Sequence, residues 1–464
     1  MELKPRIGIE VHTQLKTKTK VFCSCPVTFG EEPNTHICPV CMGYPGVLPV
    51  LNKKAVELTL RIALALNCEI DMHSRFARKN YFYPDLPKGY QITQYMRPIG
   101  RNGYIDIGGK RIRINRVHLE EETAKMIHQD DKTLLDFNRA GVPLVEIVSE
   151  PDIESGEEAV LYLKMLQAIL RFTGASDADM EKGMMRCEPN ISVGVGDELG
   201  TKTEIKNLNS FRAVQRGIDY EIKRQTEIIK NGGKVEQVTL LWDETRKETR
   251  IMRKKETAAD YRYFPEPDLP PLVLTREYIE GIKKTQPELP HEKKRRYVEE
   301  MGLREYEAGI ISMDMVMAQY FERASGLWDK HQEIAKWIVS ELIRYRDYNR
   351  LNPESFIQLL KLVDEGKVSR IAAKDVLPEM IESGKSAMEI VKEKNLLQVS
   401  DESSLKDVVL EVFNENPKEF ERLKNGEDKL IGFFVGQVMK KTKGRADPKV
   451  VNRIIRENVK QNNP

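Results

Sequence analysis

The spacing of the apolar residues changes once along this 464-residue chain, and the change decides what the chain can fold into. Up to about residue 290, short alternating stretches of strand character are mixed with a few helical ones. KKAVELTLRIALALN has the apolar spacing of a helix, and GYIDIGGKRIRINRVHL reads as a hairpin. EEAVLYLKMLQAILRFTG and FRAVQRGIDYEIKRQTEIIKNGG read as helices that stop at glycines. This is an α+β pattern built on a mostly antiparallel sheet. The prolines of PEPDLPPLVL close it, and from about Leu289 the pattern is helical throughout. DESSLKDVVLEVFNENP, with a capping-box-like start, opens a last helical unit that runs to the end. The expected domains are therefore about 1–290, 291–403 and 404–464. A chain of this length is too long for one compact core.

Composition narrows the class. Charged residues make up 31% and hydrophobic ones 40%, a globular balance with a heavily charged surface. The formal net charge is only +2, so a nucleic-acid footprint has to be a local patch. MELKPRIGIE holds no apolar run of signal-peptide length, and IGFFVGQVM is far too short to span a bilayer. A cytoplasmic protein is expected, with no membrane partner.

Four of the six cysteines lie together in FCSCPVTFGEEPNTHICPVC, as Cys23, Cys25, Cys38 and Cys41. In a reducing compartment, thiolates paired on two turns read as a closed structural zinc knuckle; a redox pair or loose thiols are the alternatives. Cys68 and Cys187 stand alone and read as core residues.

The acidic residues carry a second pattern. In RIGIEVHTQL, alternation puts Ile7, Ile9 and Val11 on one face and Glu10, His12 and Gln14 on the other. By itself that second face suits a wet sheet surface. VPLVEIVSEPD is apolar on both faces of a strand, yet Glu146 sits in its middle, where a carboxylate needs a partner or a metal. NRVHLEEETAK adds His118, Glu120, Glu121 and Glu122. The apolar residues change face between Ile114 and Val117, so a bulge is expected, and alternation does not say which glutamate turns inward. Carboxylates with an imidazole suit Mg2+ or Mn2+; a face salt-bridged to the arginines of KRIRINR is the alternative. The familiar nucleotide cradles are missing: Gly384 to Ser386 is a Gly-Lys-Ser, but Glu379 stands where a P-loop needs its first glycine. No G-x-S-x-G elbow or G-x-G-x-x-G fingerprint in a strand-to-helix setting is present either.

Two stretches mix cations with apolar groups. RKNYFYPDLPKGYQITQY, residues 78–95, interleaves aromatic and basic side chains, as a surface that stacks bases and holds phosphates requires; packing on its own domain is the alternative. Near the end, Lys449, Arg453, Arg456 and Lys460 form one stripe of a helix and Val451, Ile454, Ile455 and Val459 the other. With Lys440, Lys441, Lys443 and Arg445 just before it, this is a phosphate-binding patch or a solvated helix face.

GIEVH, the cysteine loop ending in YPGVLPVLN, RKNYFYPDLPKGYQI, HLEEETAK, VPLVEIVSEPD, RCEPNISV, KTEIKNLNSF, DYRYFPEPDLPP and FFVGQVMKKTKGRADPKVVN occur in that order. Together they resemble the B subunits of the tRNA-dependent Asp/Glu amidotransferases, the GatCAB family, over essentially the whole chain. The resemblance implies a ligase that uses ATP to activate the side-chain carboxylate of Glu-tRNA(Gln), and often Asp-tRNA(Asn), as an acyl phosphate. Ammonia that a partner amidase A subunit releases from glutamine then attacks it, and a small C subunit holds A and B together. The resemblance further implies a cradle domain, a helical domain and a tail domain that reaches the tRNA body; the cationic patch read from spacing, Lys440, Lys441, Lys443, Arg445, Lys449, Arg453 and Arg456, is the surface expected to bind tRNA there. It makes Glu10, His12, Glu121 and Glu146 the Mg2+ ligands, with Glu120 the fallback. It turns Lys79, Tyr81 and Tyr83 toward the aminoacylated tRNA end and places Arg186, Asn190, Lys206 and Asn207 near substrate or ATP. The cysteine quartet varies within the family, which makes zinc a brace that some members lack.

Overall fold

A computed structural model describes residues 2–254, 260–397, 402–442 and 444–461. The chain divides into two compact units, Met1–Pro290 and His291–Pro464. In the first, β1 (Leu3–Gln14) is followed by helix α1 (Lys53–Ala65), which starts where the Asn52 side chain accepts from the Lys54 and Ala55 amides. Next come β2 (Glu69–Ile70), β3 (His73–Asn80), β4 (Tyr90–Arg97), β5 (Gly100–Ile107) and β6 (Lys110–Glu121). The β5–β6 hairpin turns on Gly108 and Gly109, with φ of 56° and 98°, the left-handed pair that a two-residue hairpin needs. A ribbon of β7 (Lys125–Gln129) and β8 (Lys132–Asp136) precedes β9 (Pro143–Ser149) and α2 (Gly156–Phe172). The unit continues with β10 (Met185–Val195), β11 (Thr203–Lys206), α3 (Phe211–Lys230), β12 (Val238–Asp243) and β13 (Glu248–Lys254). The short β14 (Phe264–Pro265) and β15 (Leu272–Val273), then α4 (Arg276–Lys284), complete it.

Among the described residues, nine strands make one sheet in the order β13-β12-β11-β10-β1-β9-β6-β5-β2. It is antiparallel throughout except where β11 and β12 run parallel. β1, near the middle, buries Ile7, Ile9 and Val11 completely. They join Leu58 and Ile62 of α1, Leu163 and Leu166 of α2 and Val214 and Ile218 of α3 in one core. Each such side chain contributes about 1.5–3 kcal/mol when buried. With the helices on that face, the even-numbered residues of β1 are left for the other. The expected bulge is present: the pairing of β6 with β9 shifts between Ile114 and Arg116. Cys68 and Cys187 are core residues, and burial pushes both thiols up to about 12.

The helices of the second unit run from Pro290–Glu299 to Pro448–Gln461 and bury Phe321, Trp337 and Phe356. Its Gly-Lys-Ser has a capping role. Gly384, at φ 70°, ends helix Arg370–Ser383, and Ser386 starts helix Ala387–Glu393 in a capping box with Glu389. The helices from Glu402–Glu415 onward share a separate core that includes Leu405, Val409, Phe434 and Ile455. In the last of them Val451, Ile454 and Ile455 are buried, while Lys449, Arg453, Arg456 and Lys460 are exposed. Lys443 and Asp401, where the capping-box-like start was expected, lie outside the described residues. Among the described residues no helix is long and apolar enough to cross a membrane.

Candidate active site

The polar face of the sheet forms the floor of a cavity of about 730 Å3. Register builds that floor in rungs. Arg186 on β10, His12 on β1, Glu146 on β9 and His118 on β6 lie directly across from one another, strand by strand. One rung along, Glu188, Glu10, Val148 and Arg116 repeat the arrangement. Beyond β10, Asn190 faces Glu204 of β11, which faces Thr239 of β12. A strand period of two places every one of these side chains on the cavity side.

Glu146 is held by three cationic side chains. Arg116 Nη2 donates to its Oε1 at 3.1 Å, while Oε2 lies 3.4 Å from His12 Nε2 and 3.3 Å from His118 Nε2. Glu120 completes the cluster, with His12 Nε2 3.5 Å from its Oε1 and His118 Nε2 3.7 Å from its Oε2. Burial disfavours the Glu146 charge, but His118 and His12 outweigh it and hold the carboxyl well below the usual range. Burial likewise works against the His12 imidazolium, yet Glu146, with Glu120 and Glu188, raises it to about 9. Carboxylates and cationic groups thus alternate on the cavity floor, each favouring the charged form of its neighbour. Ligand atoms of His12, Glu120 and Glu146 lie within 4.8 Å of one another, as do those of Glu10, Glu188 and Glu204. Both groups have the hard or borderline donors that suit Mg2+ or Mn2+.

Hydrogen bonds tie the floor together. Asn190 donates to Glu10 at 2.9 Å, Lys206 to Glu188 at 2.7 Å and Thr239 to Glu204 at 2.9 Å. Burial raises the Glu188 carboxyl, but Lys206, His12 and Arg186 prevail and bring it down to about 2. Arg186 itself grips Glu122 at 2.7 and 2.9 Å, and the Gln14 amide reaches the same carboxylate at 3.5 Å.

The opposite wall comes from β3, β4 and the segment before β14. Lys79 sits there under Tyr261 and Tyr81, its ammonium 4.8 and 5.7 Å from the ring centres. It has no ion-pair partner among the described residues. Burial lowers its pKa, but Glu120, the tyrosines and Glu146 overcome that and leave it above the usual lysine range. Tyr95 stacks on Tyr263 at 4.3 Å, with the Arg116 guanidinium 5.2 Å from the Tyr95 ring.

Glu121 departs from the expectation. After the bulge it shares a face with Val117 and Leu119, not with His118 and Glu120, and it leaves the cavity. Its carboxylate accepts from Lys88 at 2.6 Å through both oxygens and from the Ile92 amide at 2.9 Å. Glu120 takes the place that the family resemblance implied for Glu121. Tyr83 and Asn207 also fall outside the cavity lining: Tyr83 is exposed, and Asn207, at φ 67°, donates to the Trp242 carbonyl at 3.2 Å. Glu10, His12, Lys79, Tyr81, Glu146, Arg186 and Lys206 line the cavity, and Asn190 reaches it through Glu10.

Away from the cavity floor, ligand atoms of Cys23, Cys25, Cys38 and Cys41 lie within 4.8 Å of one another, with the Cys38 and Cys41 sulfurs 3.9 Å apart. Four thiolates around zinc at about 2.3 Å stand about 3.8 Å from each other, so this donor set fits zinc. The Cys38 amide donates to Cys41 Sγ at 3.2 Å. Lys20, fully buried, donates to the same sulfur at 3.5 Å and to the Phe137 carbonyl at 3.2 Å. Hydrogen bonding with Cys23, helped by the Cys38 amide and Lys20 against burial, lowers the Cys41 thiol to about 4, and the same pairing raises Cys23.

Comparison with known proteins accords with this geometry. A sequence model described as the GatB/GatE catalytic domain matches residues 5–280, the part that builds the cavity. The chain belongs to the GatB/GatE family. A second family model, described as the GatB domain, matches residues 319–459. The chain is 54% identical to the B subunit of the aspartyl/glutamyl-tRNA(Asn/Gln) amidotransferase of Thermodesulfovibrio yellowstonii, over 98% of this chain and 99% of that one. It is 52% identical to the protein of the same name from Persephonella marina, over 99% and 100%, and 49% identical to that of Brevibacillus brevis, over 97% and 98%. For a GatB/GatE chain, sequence reasoning missed Glu188, Glu204, Tyr261 and Tyr263. The first was within reach: Arg186, Glu188 and Asn190 alternate in MRCEPNISV with Met185, Cys187 and Ile191 on the other face.

Proposed function

We propose that this chain is the activating B subunit of a glutamine-dependent aminoacyl-tRNA amidotransferase. In this reading it uses ATP to phosphorylate the side-chain carboxylate of Glu-tRNA(Gln), Asp-tRNA(Asn) or both, and ammonia from an amidase A subunit displaces the phosphate to give the amide. A small C subunit completes the assembly, which works in the cytoplasm. The observation that carries the reading is the pairing of two carboxylate clusters on the cavity floor with the half-buried Lys79, its ammonium under Tyr261, across from them.

The reaction brings together two anions, a carboxylate and a triphosphate, and asks the protein for placement and charge more than for covalent chemistry. His12, Glu120 and Glu146 would hold one Mg2+ and Glu10, Glu188 and Glu204 a second; when bound, Mg2+ neutralises the phosphate oxygens and draws the two reactants together. Lys79 offers the facing positive charge, partly desolvated and so stronger than in water. His118 and Arg116 hold Glu146 in place from either side. Lys206 and Arg186, salt-bridged to Glu188 and Glu122, are in position to exchange those partners for substrate oxygens. Tyr81 and Tyr261 shield the Lys79 ammonium from water.

The deciding experiment combines reconstituted complex, misacylated tRNA, labelled ATP and Mg2+; ADP and amidated tRNA are expected together. tRNA cleavage with Mg2+ alone would make the chain a nuclease. Undiminished activation by Glu10→Gln would make it a non-catalytic scaffold.

Two supporting features have their own tests. The tail presents exposed Lys440, Lys449, Arg453 and Arg456 to tRNA phosphates; Lys441 pairs with Glu411 at 2.7 Å and Glu415 at 2.6 Å. Charge reversal at Lys440 and Arg453 is expected to weaken tRNA binding and to flatten its salt dependence by about one unit of slope per lost phosphate contact. An unchanged salt series would remove the tail from the tRNA interface. Zinc in the cysteine quartet braces the loop that Lys20 ties to Phe137. Chelation, or Cys41→Ser, is expected to release the metal and lower Tm by several degrees, about 2–4 °C for each kcal/mol lost. A melting curve that ignores the chelator would argue for loose thiols.

A further inference from the structure

Beneath the cavity floor lies a polar network that the chemistry above leaves unused. Thr203, Glu221 and Gln225 are all fully buried on the helix side of the sheet. They sit under the point where β10 and β11 part. β11 is only four residues long and pairs with β10 at two positions, Asn190 with Glu204 and Ile191 with Thr203. The Gln225 side chain, rising from α3, accepts from the Val193 amide at 3.0 Å and donates to the Ile191 carbonyl at 3.1 Å and to Thr203 Oγ1 at 2.9 Å. It therefore stands in for a peptide group and grips both strands. The Thr203 hydroxyl donates to Glu221 Oε1 at 2.8 Å, and Arg224 closes that carboxylate with two bonds at 2.8 and 2.7 Å.

Stability alone does not account for such a network, because well-packed apolar side chains of similar volume generally do as well or better. What the polar groups supply is register. A slip of one residue in β11 would turn Glu204 into the core and Thr203 into the cavity; on the β10 side only two backbone pairs oppose it, beside the three that join β11 to β12. With the Thr203 hydroxyl bound below the sheet, Glu204 has to point above it. There Thr239 orients its carboxylate at 2.9 Å, and it meets Glu10 and Glu188 within ligand distance. The hold on Ile191 and Val193 sets the strand that carries Glu188 in the same stroke.

We propose that Thr203, Glu221 and Gln225 are positioning residues that hold Glu188 and Glu204 at the spacing of a cation site. The proposal rests on the reading of Glu10, Glu188 and Glu204 as cation ligands. The test titrates the full chain with Mn2+ and follows both sites by calorimetry and paramagnetic resonance. Two bound Mn2+ are expected for the parent protein, and Glu204→Ala should lose one of them. Thr203→Val, which keeps the shape and removes the hydroxyl, should weaken that same Mn2+ by about 10–100-fold and leave the Mn2+ at His12, Glu120 and Glu146 unchanged. Thr203→Ser should restore the affinity, and Gln225→Leu should behave like Thr203→Val. A general loosening of the fold would weaken both sites alike, and that result overturns the proposal. So does a Thr203→Val protein that binds both ions with parental affinity while Glu204→Ala loses one. If Glu204→Ala still binds two ions, the cation reading itself fails and the positioning role falls with it.

Discussion

Glu146→Gln is expected to cut ATP-dependent ADP formation by about 10^2–10^3-fold, the scale on which a preorganised charge at a reacting centre acts. The side chain has two functions in turn. Its carboxylate is a candidate cation ligand with Glu120 and a His12 that gives up its proton to ligate, and it is otherwise the counter-ion that Arg116, His12 and His118 surround at 3.1 to 3.4 Å. Glutamine keeps the shape and one oxygen but removes the charge, so the three cationic groups repel one another and His12 loses the main support for its raised pKa of about 9. Breaking a buried ion pair on one side costs about 3–5 kcal/mol, so a melting curve should accompany the kinetics. The decisive comparison is with tRNA binding, which depends on phosphate contacts elsewhere and should change little. ADP formation within tenfold of the parent would show that Glu146 does no more than hold the sheet together.

Glu120→Gln and Glu121→Gln form the second test, because neighbours in sequence lie on opposite faces of β6. Glu120→Gln should raise the Mg2+ needed for half-maximal activity by at least the 10–100-fold seen when groups around a metal are altered. Glu121→Gln should leave that Mg2+ requirement at the parental value, since its carboxylate is turned to Lys88 and the Ile92 amide. The reverse result would restore the ligand set that the family resemblance implied and would mean that β6 turns over in the working complex.

Much of the floor was legible from alternation alone. Glu10 and His12 share a face because Ile7, Ile9 and Val11 fill the other, and Glu146 announced a partner by standing in a strand apolar on both sides. The bulge in β6 was legible as well, from the change of face between Ile114 and Val117. Its consequence was not, since the residues after a bulge can resume on either face, and only the pairing of His118 with Glu146 decides that Glu120 follows it into the cavity. The aromatic loop was half legible: its mixture of lysine and tyrosine suggested an anion-binding wall, but Phe82 and Tyr83 point to solvent while Tyr261 and Tyr263, far away in sequence, complete the wall.

Periodicity by itself determined the antiparallel α+β unit, the helical remainder, the cysteine knuckle and the two faces of β1, because those are local properties set by neighbours two to four residues apart. The tertiary structure alone decided which carboxylates meet. Glu10, Glu188 and Glu204 come from three strands, and His12, Glu120 and Glu146 from three as well. Strand order and register bring each group together, and both are set by long-range pairing and by polar groups such as Gln225 that no local pattern reveals.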